Sequence, residues 1–348
     1  MVEWRLQRLP SAGTGAALGA RIAAVLLALG VAAVALVLAG QNPFALAAQV
    51  IRATFGSTFG LEDLGLLLIP LLLTGLSVAV GQQIGVWNIG AEGQFYIGAF
   101  AAAAVGLFLP GSAALILPLM FVAGAVGGMF WILVPTLARA YAGVNELITT
   151  LLLNFVAALL VYYVATGPWR ERGGVSNSAT ARIPAEIPEF WGLVHWGLPA
   201  GVLMALGFAA LLAYSRWGYE VRFAGSNAKA ARYAGMPVRR HLVTVMLLSG
   251  MIAGIGGMLE IAGTVHRLQG GISNNFGYLG IMVAVLARNS CLGVIASAAF
   301  MAVILNAGIV LQTQGLTSAT VLAITGLILF LTAVGDEVSH YRIVRGKV

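Results

Sequence analysis

The sequence predicts an all-α, polytopic integral membrane protein of about ten transmembrane helices, within a range of eight to ten, with both termini cytoplasmic. Three observations predict it. Hydrophobic residues make up 60% of the 348 and charged residues only 9%, with a mean hydropathy of +0.94, far from the profile of a soluble domain. Apolar runs recur at close to the ~20 residues that a membrane-spanning helix needs. The charges that do occur sit at the ends of those runs, so the net charge of +7 is explained by orientation in a membrane rather than by a nucleic-acid surface.

In chain order, Arg5, Arg8 and Arg21 precede an unbroken apolar run over residues 22–39. Small residues at Ala45-Leu46-Ala47-Ala48 offer the alternative of a cleaved signal peptide, but the run is longer than a usual signal core and reads as a retained span. Further apolar segments lie near residues 64–82, 89–109, 113–138, 147–166, 197–214, 242–262, 278–288, 293–310 and 319–334. The segment near 278 is short and reads as a broken or re-entrant helix, tolerable only where protein or water covers its backbone. Placing both ends inside puts fourteen Lys and Arg on the inner side and leaves five outside, Arg52, Arg170, Arg172, Arg182 and Arg267, as the positive-inside rule requires. Residues 1–348 then form a single transmembrane domain, with a cytoplasmic loop at 215–241 and an extracytoplasmic loop at 167–196. The outer loop carries Pro184, Pro188, Phe190, Trp191 and Trp196; its aromatics suit the headgroup level, and the loop reads either as an interfacial anchor or as a docking surface for a second protein.

Two stretches depart from the apolar background. Residues 222–237 form a basic polar island that reads as one short helix, roughly 12 Å long at 1.5 Å per residue. Ser226 or Asn227 can cap it, Gly235 can close it in the left-handed conformation, and Pro237 cannot continue it. The residues alone leave open a solvated helix that merely joins two spans. The second stretch, Gly85-Val86-Trp87-Asn88-Ile89-Gly90-Ala91-Glu92-Gly93-Gln94, links two spans with almost no polar linker, and glycines so placed permit a discontinuous helix. Glu92 would face protein or water if central, or be stabilised by the helix dipole if near the interface. Helical periodicity puts Asn88 and Glu92 on one face and Gln94 elsewhere.

Other polar residues invite less. Asn145 and Glu146 read as a helix cap, and Asn154, deeper in its span, as a bond to a neighbouring helix. Glu260 is expected near an outer helix end, reaching water, with His266 in the loop beyond; neither is assigned a role. Gly124, Gly127 and Gly128 permit close helix approach. An enzyme is disfavoured: the two lysines, Lys229 and Lys347, stand in no phosphate-binding loop, four scattered histidines make no constellation, and the single Cys291 excludes an internal disulfide.

The polar island resembles the cytoplasmic coupling loop of ABC importer permeases, with Arg222, Ala224, Gly225, Asn227, Ala230, Ala231 and Gly235 at the matching positions and Lys229 where many permeases have glutamate. Residues 88–94 resemble the Asn-Ile-Gly-x-Glu-Gly-Gln signature of nucleoside and simple-sugar ABC permeases, with Trp87 where that family usually has phenylalanine. Val144–Thr150 with Leu153-Asn154, and Gly277–Ile281 with Val283–Asn289, are similar to two further family segments; Cys291 takes a place often held by proline. The matches run in the family's order from Gly75 to Gly308. The resemblance implies the permease subunit of an ATP-driven importer in a bacterial plasma (inner) membrane, of the ribose- and branched-chain-amino-acid-transporter type. It implies an ATPase-coupling role for Arg222, Gly225, Asn227, Ala230, Ala231 and Gly235, and a substrate-path role for Asn88, Glu92, Gln94 and Asn154. No cofactor is expected on the chain itself, ATP being used by a partner. Implied partners are cytoplasmic ATPase subunits, a second permease in a homo- or heterodimer, an extracytoplasmic substrate-binding protein and membrane lipid, but not nucleic acid.

The expected cargo is a neutral polar solute. Lys and Arg are nearly absent from the proposed spans, leaving few fixed cations to offset a phosphate in low dielectric. The resemblance points to nucleosides or simple sugars, with a branched-chain amino acid as the alternative. A self-contained ion-coupled secondary transporter is the competing class, since it too would show glycine-broken spans and buried carboxylates; an intramembrane hydrolase is a distant third.

Overall fold

The computed structural model describes residues 2–8, 14–38, 40–171, 178–338 and 341–347. The regular structure of the described residues is helical except for two short two-stranded ribbons. Its helices are α1 (Thr14–Leu38), α2 (Pro43–Phe55), α3 (Thr58–Gln82), α4 (Ala91–Phe108), α5 (Ala113–Ala142), α6 (Glu146–Thr166), α7 (Gly197–Tyr214), α8 (Arg216–Ser226), α9 (Ala228–Tyr233), α10 (Val238–Glu260), α11 (Phe276–Leu286), α12 (Gly293–Thr313) and α13 (Ser318–Val338). Among the described residues, eight helices are long and apolar enough to cross a membrane, or nine if the bent pair α1–α2 is one span. The ten apolar segments expected from sequence thus become eight full-length helices, a pair bent by 118°, and the short α11.

The chain divides into two compact units, one of residues 1–60 and 304–348, the other of residues 61–303. In the first, α1 lies along α13; a Cβ at Gly335 would collide with the Ala24 methyl. Asn42 caps α2 by accepting from the Phe44 and Ala45 amides at 3.0 and 3.2 Å. Leu36, Leu46, Leu316 and Val321 form a small apolar cluster, and the Thr54 hydroxyl donates to Asn306 Oδ1 at 2.8 Å. Strand β1 (Val2–Arg8) pairs antiparallel with the last strand (Tyr341–Lys347), Val2 opposite Lys347 and Arg8 opposite Tyr341. This ribbon is not foreseen by the all-helical reading, and it puts the two chain ends on the same side, as that reading requires.

The second unit is built on α4, α5 and α10, which meet through glycine rather than through large side chains. A Cβ at Gly254 of α10 would collide with the Gly124 carbonyl of α5, one at Gly98 of α4 with the Gly254 backbone, one at Gly128 with the Gly250 carbonyl, and one at Gly257 with the Phe95 carbonyl. In lipid, where apolar burial alone drives no association, such backbone contact supplies the dispersion that holds helices together. The sequence reading of Gly124, Gly127 and Gly128 as close-approach residues corresponds to this seam.

Helix α11 spans eleven residues, about 16 Å at 1.5 Å per residue and too short to cross. Both its ends are broken by left-handed residues, Asn274 and Asn275 before it and Arg288 and Asn289 after it. Protein covers it: Phe276, Gly277, Gly280, Val283 and Ala284 are buried, and the Thr74 hydroxyl of α3 donates to the Phe276 carbonyl at 2.9 Å. Helix α10 runs on through a π-helical turn, Ile261–Val265. Glu260 is therefore not at an exposed end; it is 5% exposed, because the helix continues past it and the outer loop closes over that continuation. In that loop the Ile183, Ile187 and Thr180 amides donate to the carbonyls of His266, Ala262 and Leu268 at 2.8–3.0 Å, and the loop ends in the hairpin β2–β3 (Glu189–Trp191 and Val194–His195). Its core is fastened to protein, while Phe190, Trp191 and Trp196 stay exposed as the interfacial reading expects.

Replacing Gly254 by valine should lower stability by about 1–3 kcal/mol or more, the usual range for overpacking. The same change at Gly207, where a Cβ meets nothing within 4 Å, should be near neutral. Thermal unfolding of the two variants in detergent checks this, and equal melting points would contradict the seam.

Candidate functional site

The break between α3 and α4 is where polar chemistry concentrates. Helix α3 unwinds through turns in which Gly85 N–H donates to Gln82 O at 2.9 Å and Val86 N–H to Gly81 O at 3.4 Å, with Gly85 at φ +75°. Residues 86–88 are non-helical, and α4 begins only after Gly90. Buried non-helical backbone must be satisfied by protein, and side chains do so here. Asn88 and Gln94 form a reciprocal amide pair: Asn88 Nδ2 donates to Gln94 Oε1 at 2.8 Å and Gln94 Nε2 to Asn88 Oδ1 at 2.9 Å. Asn88 Nδ2 also donates to Ser249 Oγ of α10 at 2.7 Å, and Ser249 Oγ donates to the Ser77 carbonyl at 2.6 Å. From α6, Asn154 Nδ2 donates to the Ile89 carbonyl and Asn154 Oδ1 accepts from the Gly93 amide, each at 2.9 Å. Asn88, Gln94, Asn154, Ser77 and Ser249 are all buried to 1% exposure or less.

Glu92 points the other way. Its Oε2 accepts from the Gly277 amide at 2.8 Å, placing a carboxylate in the first turn of α11, where the helix dipole favours it. This corrects the helical-face reading. Asn88 and Glu92 do not share a face; Asn88 and Gln94 are partners and Glu92 is apart. The error arises because periodicity assumes helix through residues 88–90, where the backbone is not helical. Asn154 does bond a neighbouring segment, as expected. Ser77 and Ser249 were missed, although a hydroxyl inside a strongly apolar span was the available signal.

The second site is the lobe at 215–241, which holds the short helix expected between Asn227 and Gly235, here α9, and before it a second helix, α8, that the sequence reading did not give. Ser215 caps α8 by accepting from Gly218 N–H at 2.9 Å. Asn227 interrupts the chain and caps α9, its Oδ1 accepting from Ala230 N–H at 3.0 Å. The chain then closes at Gly235 with φ +78° and the Met236 amide donating to Ala231 O at 3.0 Å. The cap at Asn227 and the closure at Gly235 are the ones expected from the sequence. Of the six residues assigned to this loop, Ala231 is buried and Gly225 turns inward, where a Cβ would collide with the Gln83 carbonyl. Arg222, Asn227 and Gly235 are exposed and Ala230 is half-buried. Glu220 on α8 meets His241 Nε2 of α10 at 2.7 Å, and Gln83 Nε2 donates to Asn289 O at 2.6 Å. Tyr233, 94% exposed on α9, was not singled out in the sequence, where an aromatic within a basic polar stretch is its only mark.

Elsewhere, His195 Nδ1 accepts from the Gly197 amide at 3.1 Å and burial pushes its pKa down to about 4, so the ring is neutral; burial also lowers His266. Among the described residues no cluster of His, Cys, Asp or Glu is arranged to hold a metal ion.

The amide pair is open to a double-mutant cycle. Asn88→Ala and Gln94→Ala should each be destabilising, and the double variant should lose less than the sum of the two, with a coupling of about 0.5–3 kcal/mol. Additive melting shifts would show that the pair does not act as a unit.

Comparison with known proteins extends over most of the chain. Residues 60–333 match a family model described as branched-chain amino acid transport system, permease component. The chain is 36% identical to a glucose ABC transporter permease of Haloferax volcanii, over 94% of this chain and 90% of that protein. It is 32% identical to a guanosine ABC transporter permease of Bacillus subtilis, over 79% and 81%. With a nucleoside ABC transporter permease of Lactococcus lactis it shares 27% identity over 85% of each. Eight apolar helices, a polar-fastened break between two of them and a match over most of the chain agree: this protein belongs to the branched-chain amino acid transport system permease family.

Proposed function

We propose that this chain is the membrane-spanning subunit of an ATP-driven importer for nucleosides or simple sugars. The observation that carries the reading is similarity along nearly the whole chain to permeases named for glucose, guanosine and nucleosides. The side chains that fasten the α3–α4 break to its neighbours are amides, hydroxyls and one carboxylate. Lys and Arg are nearly absent from the apolar spans, which favours a neutral cargo over a phosphorylated one.

On this reading Asn88, Gln94 and Asn154 support the path rather than touch the solute, because their hydrogen-bonding groups are already engaged with one another and with backbone. Glu92 holds the start of α11 in the same way. ATP hydrolysis takes place on a separate cytoplasmic subunit, which meets the exposed side of the lobe through Arg222, Asn227, Ala230 and Gly235. Gly225 and Ala231 shape the lobe from within. A second permease completes the path, and an extracytoplasmic binding protein delivers the solute to the face formed by residues 178–196.

Two measurements test the proposal. Vesicles containing the permease with its ATPase and binding protein should show ATP-dependent uptake of labelled guanosine, adenosine, ribose or glucose and none of leucine. Uptake of leucine alone, or uptake that follows an ion gradient without ATP, overturns it. Gly235 provides the second: a Cβ there meets nothing of this chain within 4 Å, so within the permease a substitution acts through the positive φ. Gly235→Val should reduce substrate-stimulated ATP hydrolysis severalfold at normal expression, while Gly235→Asn, which tolerates that conformation, should retain most of it. Wild-type coupling in the valine variant would remove the lobe from the coupling role.

A further inference from the structure

A groove opens where the C-terminal end of α5 meets the start of α10, beside the lobe. It has a volume of about 590 Å³ and is lined by Arg232, Arg239, Arg240, Tyr141, Leu137, Val243 and Thr244 among others. The lining is graded. Arg232, Arg239 and Arg240 are exposed at one end, and none of the three forms an ion pair with a carboxylate among the described residues. Arg239 sits 5.8 Å above the Tyr141 ring, an arrangement that holds a guanidinium in place without neutralising it. One helical turn further along, Leu137, Val243 and Thr244 replace the cations. Beyond Leu137 the same face of α5 continues as an exposed apolar stripe, Val134, Phe130 and Val126, spaced at three and four residues as one helix face requires.

We propose that this groove binds an anionic phospholipid, the phosphate held by Arg232, Arg239 and Arg240 and an acyl chain laid along the Leu137–Val126 stripe of α5. Cations alone would suit any anion, and an apolar face alone would suit any hydrocarbon. Their order along one helix, charge at the interface and hydrocarbon immediately below it, matches a lipid molecule end to end. Tyr141 between the two zones stands at the headgroup level that aromatic residues favour. Basic pockets between transmembrane helices at the cytoplasmic side are the recognised setting for acidic headgroups. The proposal takes from the functional reading only the orientation of this helix end, and its test is indifferent to transport.

Native mass spectrometry of the full chain in detergent, with phosphatidylglycerol and phosphatidylcholine supplied at equal concentration, should show retained phosphatidylglycerol in clear excess. The variant carrying Arg232→Gln, Arg239→Gln and Arg240→Gln should lose that preference by about a hundredfold, the order expected when three cations leave an acidic headgroup. A control carrying Arg216→Gln, Arg222→Gln and Lys229→Gln removes the same charge from the lobe outside the groove and should keep it. Thr244→Trp fills the groove with its charge intact and should also lose the lipid. Arg240→Gln alone gives the same ordering at smaller amplitude should the triple variant aggregate. Equal loss in the control set would reduce the effect to diffuse charge and overturn the site, as would full retention by the Thr244→Trp variant. If the three-arginine variant keeps phosphatidylglycerol but no longer copurifies with the ATPase, the groove belongs to a protein partner and the lipid assignment falls.

Discussion

The constraint on which the second unit depends is that a helix broken inside an apolar solvent must find partners for its backbone within the protein. Between α3 and α4 the chain gives up helix for residues 83–90, and each buried polar group left unsatisfied costs several kcal/mol. The amide pair of Asn88 and Gln94 meets this requirement in a way that also fixes geometry. Each amide uses both its donor and its acceptor on the other, and the spare Asn88 proton reaches Ser249 of α10. Asn154 of α6 closes the remaining side through Ile89 and Gly93. Each bond contributes only about 0.5–1.5 kcal/mol net. Removing one partner is worse than that figure suggests, because the group left behind is buried and unpaired.

Glycine dominates the interfaces around this break. Where α4, α5 and α10 cross at their glycines, the backbones lie too close to admit a side chain between them. The collisions that a Cβ would meet at Gly98, Gly254 and Gly257 are all with backbone atoms, which cannot rotate aside. The second discontinuity, at the start of α11, is tied into this arrangement from two sides, by Glu92 to the Gly277 amide and by Thr74 to the Phe276 carbonyl. Two segments of broken backbone, distant in sequence, are thus held against each other. Phe95 and Phe276, with ring centroids 6.3 Å apart, fill the space between.

The spans were legible in the sequence because the solvent imposes their length and composition directly. Turn chemistry was legible where one residue type decides it: Gly235 adopts the positive φ expected of it, and Asn227 caps. What the sequence hid were outcomes that depend on where a helix stops. Asn88 and Glu92 share a face only if residues 88–92 are helical, and α4 starts at Ala91. Glu260 is at an outer end only if α10 ends there, and it continues to Val265. Ser77 and Ser249 carry no local mark beyond being hydroxyls, because their role comes from a contact across 172 residues. The terminal ribbon is likewise a long-range pairing, made of two seven-residue strands at opposite ends of the chain.

The lobe at 215–241 has no large apolar core of its own, yet it is tightly fixed, and the means of fixation bear on what it can transmit. Glu220 and His241 tie α8 to α10. Gly225 rests directly on the Gln83–Ile84 backbone, at the end of the helix whose unwinding begins the polar knot. Gln83 in turn donates to Asn289, in the turn after α11. A contact of backbone on backbone has no compliant side chain to absorb a displacement, so the lobe is joined to the end of α3 by the least deformable kind of contact. A side-chain interface of the same area would deform first, since rotamers change far more easily than packed backbones. If the lobe is where an ATPase pushes, the segments it moves first are the ones already held out of helical geometry. Those are also the segments for which a change of backbone requires only an exchange of partners within the knot, rather than the unwinding of a complete helix.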